Sequence, residues 1–248
     1  MTGFGEPLLD FLFFERCEYI KRVMPNIKIY ITSNFSTLGK GTIDDIIKYI
    51  DMIKISFYGF TPNTYDYMHG GKLDFNTTFN NIMSLIRRKH ELKSKTPYII
   101  MSYIDMFETT NEKDLWIDLW EMFADEVIVW KPHNWADIQN YRKVDYSKQI
   151  SCGRPFTDNF YIHVNGDVSP CCWDINKKLL IGNIYTKTLE QISKSHELEF
   201  IKEKHKNKDF TRLLCENCEQ TNKDESALVY SSTNRKVGEM TSDRSKLI

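Results

Sequence analysis

Cys215-Glu216-Asn217-Cys218 sets two thiols at the C-x-x-C spacing, from which a single tight turn can offer both to one metal centre. Cys152, Cys171 and Cys172 lie upstream in the same stretch, so five of the chain's six cysteines fall between residues 152 and 218. Cys152 and either Cys171 or Cys172 can complete a four-thiolate shell. Zinc and a 4Fe-4S cluster both accept such a shell, and spacing alone leaves that choice open. The stretch has few large apolar residues. A region this short needs a staple, and metal binding becomes folding energy once the ligands converge.

The elements around the cysteines have to bring them together. Residues 160–164 and 168–169 flank Asn165-Gly166, a two-residue hairpin signal that turns Cys171 and Cys172 back towards the segment carrying Cys152. Neighbours on a strand point to opposite faces, so only one of that pair can face the same centre as Cys152. Residues 179–181 can add a strand. Thr188 is expected to cap one helix reaching about residue 204, with Leu189, Ile192 and His196 on one side. This cysteine-rich domain is expected over 151–219.

The first half has a different rhythm. Residues 8–24 read as a helix with Leu9, Leu12, Phe13, Cys17, Ile20 and Met24 on one face, and Cys17 there is a buried structural thiol. Strands follow at 27–31, 52–57, 98–104 and 127–130. Between them come a short helix capped by Thr42, a polar loop or short helix at 61–71, a long helix around Phe79, Ile82, Met83 and Ile86, and a helix capped by Asn111 with Leu115, Leu119, Met122 and Phe123. Short apolar strands alternating with helices predict a parallel sheet over 1–131. Ligands of such sheets bind beyond the carboxyl ends of the strands. Gly3, Gly5, Glu6, Pro7, Ser33, Asn34 and Ser56 fall there. Two glycines permit close backbone approach, and Pro7 pushes Glu6 towards extended geometry. Ser33, Asn34 and Ser56 read equally well as turn formers.

Residues 132–150 are expected to form a linker, in which His133 is a packed or solvated side chain rather than a base. Residues 220–248 are polar and expected to be a mobile tail. The 33 basic and 34 acidic residues of the 248 nearly cancel, so no field invites nucleic acid or an anionic membrane. Apolar residues make up 41%, enough for a core, yet no run approaches a membrane span. No basic-then-apolar leader opens the sequence, so a cytoplasmic location is expected. In that reducing compartment clustered cysteines serve metals rather than disulfides.

At this point the residues resemble a known family. Gly3-Phe4-Gly5-Glu6-Pro7-Leu8-Leu9 resembles the Gly-Glu-Pro motif of radical SAM enzymes. Ile31-Thr32-Ser33-Asn34 is similar to their next strand end, and Ile55-Ser56-Phe57-Tyr58-Gly59, with Tyr65 and His69-Gly70-Gly71, to the one after. His133-Asn134-Trp135, Cys152-Gly153-Arg154-Pro155-Phe156, Val164-Asn165-Gly166-Asp167-Val168, Pro170-Cys171-Cys172-Trp173-Asp174, Ile181-Gly182-Asn183 and Cys215-x-x-Cys218 then resemble the C-terminal SPASM or shortened twitch extension. The resemblance implies an α/β chain: a partial (β/α)6 barrel without its first β/α unit, then a small α+β SPASM/twitch domain.

It further implies S-adenosylmethionine at the strand ends. The Gly5 and Glu6 backbone would receive the methionine amino group, with Ser33, Asn34 and Ser56 near methionine and ribose. It implies one auxiliary 4Fe-4S cluster on Cys152, Cys171, Cys215 and Cys218, Cys171 being preferred because it follows Pro170 as in the family's motif. The implied chemistry is hydrogen abstraction by an oxidoreductase or maturase from a small-molecule or peptide substrate, with an electron donor as partner. The catalytic C-x-x-x-C-x-x-C loop of the family is not in this sequence, and Cys17 has no neighbours at that spacing. The chain is therefore expected to be a fragment, a misassigned start or a truncated product, inactive as written. The alternatives are a truncated cluster- or substrate-binding protein without catalysis, and a zinc-stapled α/β protein.

Overall fold

A computed structural model describes residues 5–136, 138–139, 141, 146–157, 159–222 and 227–233. Gly3 and the expected strand end before it lie outside the described residues, as does the sequence from 234 onward. The chain divides into two compact units, with the boundary after Lys131.

In the first unit, helices and strands alternate: α1 (Phe13–Val23), β1 (Tyr30–Ser33), α2 (Thr42–Tyr49), β2 (Met52–Ser56), α3 (Pro62–Met68), α4 (Phe75–Glu91), β3 (Tyr98–Ile104), α5 (Lys113–Glu121) and β4 (Glu126–Trp130). The strands β1 to β4 pair in that order and all in parallel, with Ser33 opposite Ile55, Ser56 opposite Ser102, and Ser102 opposite Ile128. One face carries Ile31, Ile53, Ile55, Ile99, Met101, Val127 and Val129, which form the main core with helix residues such as Ile46, Ile82, Trp116 and Trp120. The opposite face carries a smaller cluster of Met52, Ile100 and Ile128. Burial on both faces explains why the strands read as nearly continuous apolar runs.

Several local expectations change; Asn111, for one, lies in a 3-10 turn (Thr110–Glu112) ahead of α5 and does not cap it. Thr42 is the first residue of α2, not its cap; Gly41, in the left-handed region at φ +83°, precedes it and offers no side-chain bond. The run 8–24 divides into a 3-10 turn at Pro7–Leu9 and then α1, which leaves Leu9 and Met24 exposed. On α5 the buried stripe is Trp116 and Trp120, while Leu115, Met122 and Phe123 are exposed, so the expected face was turned from the true one. Two tryptophans one helical turn apart fill more core than the leucines beside them.

The second unit opens on 132–136, residues expected to belong to a linker. It contains the three-stranded antiparallel sheet β5 (Tyr161–Ile162), β6 (Asp167–Ser169) and β7 (Gly182–Asn183). Gly166 turns the hairpin at φ +82°, and any Cβ there would meet the Tyr185 ring at 2.5 Å. The single helix expected from Thr188 is two: α6 (Leu189–Ser193), closed by a Thr188–Gln191 capping box, and α7 (His196–Lys206), capped by Ser195. The break at Lys194 and Ser195 re-aims the buried stripe, leaving Leu189 and His196 exposed while Leu198 and Ile201 join Val168, Leu179, Ile181, Ile192 and Phe210 in a small core.

Residues 220–248, expected to be unstructured, supply β8 (Leu228–Ser231). It belongs to the first unit and extends its sheet antiparallel to β4. Leu228 is the apolar anchor, 4% exposed beside Ile128. Among the described residues, no helix is long and apolar enough to cross a membrane.

Candidate functional site

The second unit gathers the thiols. Cys152, Cys171, Cys215 and Cys218 line one cavity together with Arg154, Pro155, Pro170 and His205. Cys172 is exposed and is not among the lining residues; the pair lies in the loop after Ser169, beyond the strand on which alternation was expected to separate them. All six cysteines are free thiols.

Each cysteine is held by its own backbone device. Cys152 precedes Gly153, whose φ of +80° starts a 3-10 turn at Arg154–Phe156. Cys171 leaves β6 in a loop organised by Asp174, a fully buried carboxylate. Asp174 accepts from Ser169 Oγ at 3.0 Å, Lys178 N at 2.6 Å and Leu179 N at 2.7 Å. The Trp173 N–H donates to Cys171 Sγ at 3.4 Å. Cys215 and Cys218 sit on a 3-10 knuckle, Leu214–Asn217, whose carbonyls are bonded: Thr221 Oγ1 donates to Cys218 O at 2.6 Å, and Gln149 Nε2 to Glu216 O at 2.8 Å. Asn134 joins the knuckle to the start of the unit, donating to Asn217 O at 2.7 Å. His133, expected to be an ordinary loop side chain, stacks on Trp173 with centroids 4.2 Å apart.

Burial pushes the Cys171 thiol up to about 11 and Cys218 up to about 12, and raises Cys215 as well. Buried neutral thiols are therefore the ground state without a ligand, and a metal must displace their protons. His205, 1% exposed, places Nε2 3.4 Å from Cys215 Sγ and Nδ1 2.9 Å from Ser151 Oγ. Burial lowers its pKa to about 4, so the ring is neutral. In the tautomer whose Nδ1 accepts from the Ser151 hydroxyl, Nε2–H would point at the sulfur, the arrangement a ligating thiolate needs. The sequence assigns no role to His205 or Ser151 and names Asp174 only within a motif, since no local pattern marks a helix histidine as the neighbour of a distant cysteine.

Four sulfurs line one cavity, with the Trp173 N–H on Cys171, a donor set of the kind a 4Fe-4S cluster takes. Among the described residues, no three Cys, His, Asp or Glu side chains are arranged to hold a single ion.

The first unit brings together most of the other expected residues. Glu6 is extended (φ −106°, ψ 114°) and begins a 3-10 turn with Pro7 at its first position. Its carboxylate accepts from Leu8 N at 3.2 Å, Ser33 Oγ at 2.7 Å and Asn34 N at 2.7 Å. Ser33 Oγ in turn accepts from Phe35 N at 2.9 Å. Gly5 has φ +108° and open space where a Cβ would stand. Ser56 ends the neighbouring strand β2, where its Oγ accepts from Tyr58 OH at 3.1 Å. Ser102, its partner across the sheet, is 2% exposed. His69 stacks on Tyr58 and accepts from the Tyr58 N–H through Nε2 at 3.4 Å; burial holds its pKa down at about 4. Ser102 went unnoticed in the sequence because it sits inside an apolar strand.

Residues 152–219 match the SPASM family model, described as an iron-sulfur cluster-binding domain. No curated protein matches the chain. Among solved structures, BtrN in complex with AdoMet and 2-DOIA aligns over 87% of this chain and 68% of its own, with a TM-score of 0.52 at 14% identity. AnSMEcpe with bound AdoMet aligns over 92% and 76%, with a TM-score of 0.49 at 17% identity. The same protein with bound AdoMet and Kp18Cys peptide aligns over 90% and 76%, with a TM-score of 0.48 at 17% identity.

Proposed function

We propose, from a chain that has the radical SAM fold and a SPASM domain at 152–219, that it carries the cofactor sheet and the auxiliary-cluster domain of a radical SAM/SPASM oxidoreductase or maturase. The observation that carries this reading is the convergence of Cys152, Cys171, Cys215 and Cys218 on one cavity within the matched residues. These four thiolates would hold a single 4Fe-4S cluster. The bound S-adenosylmethionine supplies hydrogen-abstracting radical chemistry to such enzymes.

The residues at the strand ends have distinct parts in this reading. The Glu6 carboxylate is already engaged by Ser33 and Asn34, so its part is to fix the strand-end backbone. What remains for the methionine amino group is the backbone at Gly5 and Glu6, over which no side chain stands at Gly5. Asn34 and the Ser56–Tyr58–Ser102 group would face methionine and ribose. The substrate would be a small molecule or peptide, the electron donor a separate protein, and the setting a reducing cytoplasm. The C-x-x-x-C-x-x-C ligands of a catalytic cluster would have to come from outside this sequence.

Anaerobic reconstitution tests the reading. About four irons and four sulfides per chain are expected, with S-adenosylmethionine binding measured by calorimetry and weakened in Ser56→Ala. A colourless protein holding one zinc per chain would replace this function with a zinc-stapled fold. A loaded cluster without S-adenosylmethionine binding would leave a cluster protein with no cofactor site.

A further inference from the structure

Arg154 stands at the cavity with the four thiols, immediately after the Cys152-Gly153 turn. Its guanidinium lies over the Trp173 ring, 4.7 Å from the centroid. Its Nη1 is buried and has no hydrogen-bond partner among the described residues. An unpaired buried donor on a cation is costly, so such a group marks a place where an acceptor is missing. The sulfurs of Cys152, Cys171, Cys215 and Cys218 line the same cavity.

We propose that Arg154 is a positioning residue for the auxiliary cluster. In this role its Nη1–H donates to a cluster or cysteinyl sulfur, and its fixed charge raises the cluster's reduction potential. The inference rests on the cluster reading above and extends it to what sets the electron affinity of that cluster. A four-thiolate cluster is anionic and gains one more negative charge when reduced. A cation held against it therefore favours the reduced form, and an N–H bond to sulfur acts in the same direction. Stacking on Trp173 keeps the guanidinium plane in place. Arginine suits this role better than lysine, because its planar fork can stack on the ring and still direct one N–H to the cavity.

The test is a redox titration of the reconstituted protein, one electron being supplied by dithionite and the reduced cluster followed by electron paramagnetic resonance. Arg154→Gln with full iron content is expected to lower the affinity for the electron about tenfold, a shift of ~59 mV for a one-electron couple. Arg154→Lys, which keeps the charge but loses the fork, is expected to fall between the two. An unchanged midpoint in a fully loaded Arg154→Gln protein overturns the proposal and leaves the cluster reading standing. Should that variant load poorly, the unaltered protein labelled with 15N at arginine decides: electron–nuclear double resonance on the reduced cluster should show a nitrogen coupling, and its absence overturns the proposal. A protein that takes up no cluster overturns both readings.

Discussion

Glu6 spends both carboxylate oxygens on Ser33 and Asn34 and caps the turn at Leu8. Bonds to a charged acceptor contribute about 1.5–3 kcal/mol each when part-buried. Glu6→Ala should therefore lower stability by roughly 2–4 kcal/mol, because it also leaves the Asn34 N–H and the Ser33 hydroxyl without their acceptor. Urea unfolding checks this, and a variant as stable as the parent would show the latch to be idle. The adjoining cysteines make a sharper pair. Cys171 faces the cavity and Cys172 is exposed. Cys171→Ala should lose most of the bound iron while Cys172→Ala keeps it, as read by iron and sulfide analysis; equal loss would contradict the assignment. At this scale the sequence was informative about residue type and poor about partners. The motif Pro170-Cys171 pointed to the sulfur that lines the cavity, whereas the Ser151–His205–Cys215 chain spans residues 151 to 215 and exists only after folding.

The helix α3 shows how elements are set. Thr61 caps it, and Glu112 accepts from Phe60 N, Thr61 N, Thr61 Oγ1 and Thr64 Oγ1. Burial opposes the Glu112 charge, but these bonds outweigh it and hold the carboxyl below its ordinary range. The close approach of the chain to Tyr65 needs Gly59, where a Cβ would stand 2.4 Å from the Tyr65 nitrogen. At the far end of α3, half-buried His69 packs against Tyr58 and Tyr65. Folding disfavours its protonated form, so below the ordinary histidine value of about 6.5 the unfolded chain takes up a proton that the native state refuses. Stability should thus be full above that value and fall as pH drops towards about 4. His69→Gln should flatten this window in urea titrations run across it. The slope should diminish rather than vanish, since His205 carries the same shift. An unchanged slope would place His69 in water.

At the scale of the molecule the two units differ in what holds them. The first has a continuous core of isoleucines and aromatics under a parallel sheet. The second has a core of a few aliphatic residues and relies on its cysteines. Metal binding should therefore be folding energy mainly for residues 152–219. Hydrogen exchange should show amides of that stretch protected in the loaded protein and exchanging at least tenfold faster after chelation, while β2 and β3 are unaffected. Uniform protection in both states would mean that the second unit folds without its cluster.

The order of strands, the parallel sheet and the four candidate sulfurs were legible in the sequence, because each rests on local spacing: apolar runs between helices, an Asn-Gly hairpin, a C-x-x-C knuckle. Only the tertiary structure decided which face of α5 is buried, that residues 228–231 join the sheet beside β4, and that Ser102, Asp174, Arg154 and His205 stand where chemistry is expected. Those facts depend on contacts between residues far apart in the chain. A helix of mixed apolar residues has more than one plausible face, and a short strand pairs only when an open edge is present to receive it.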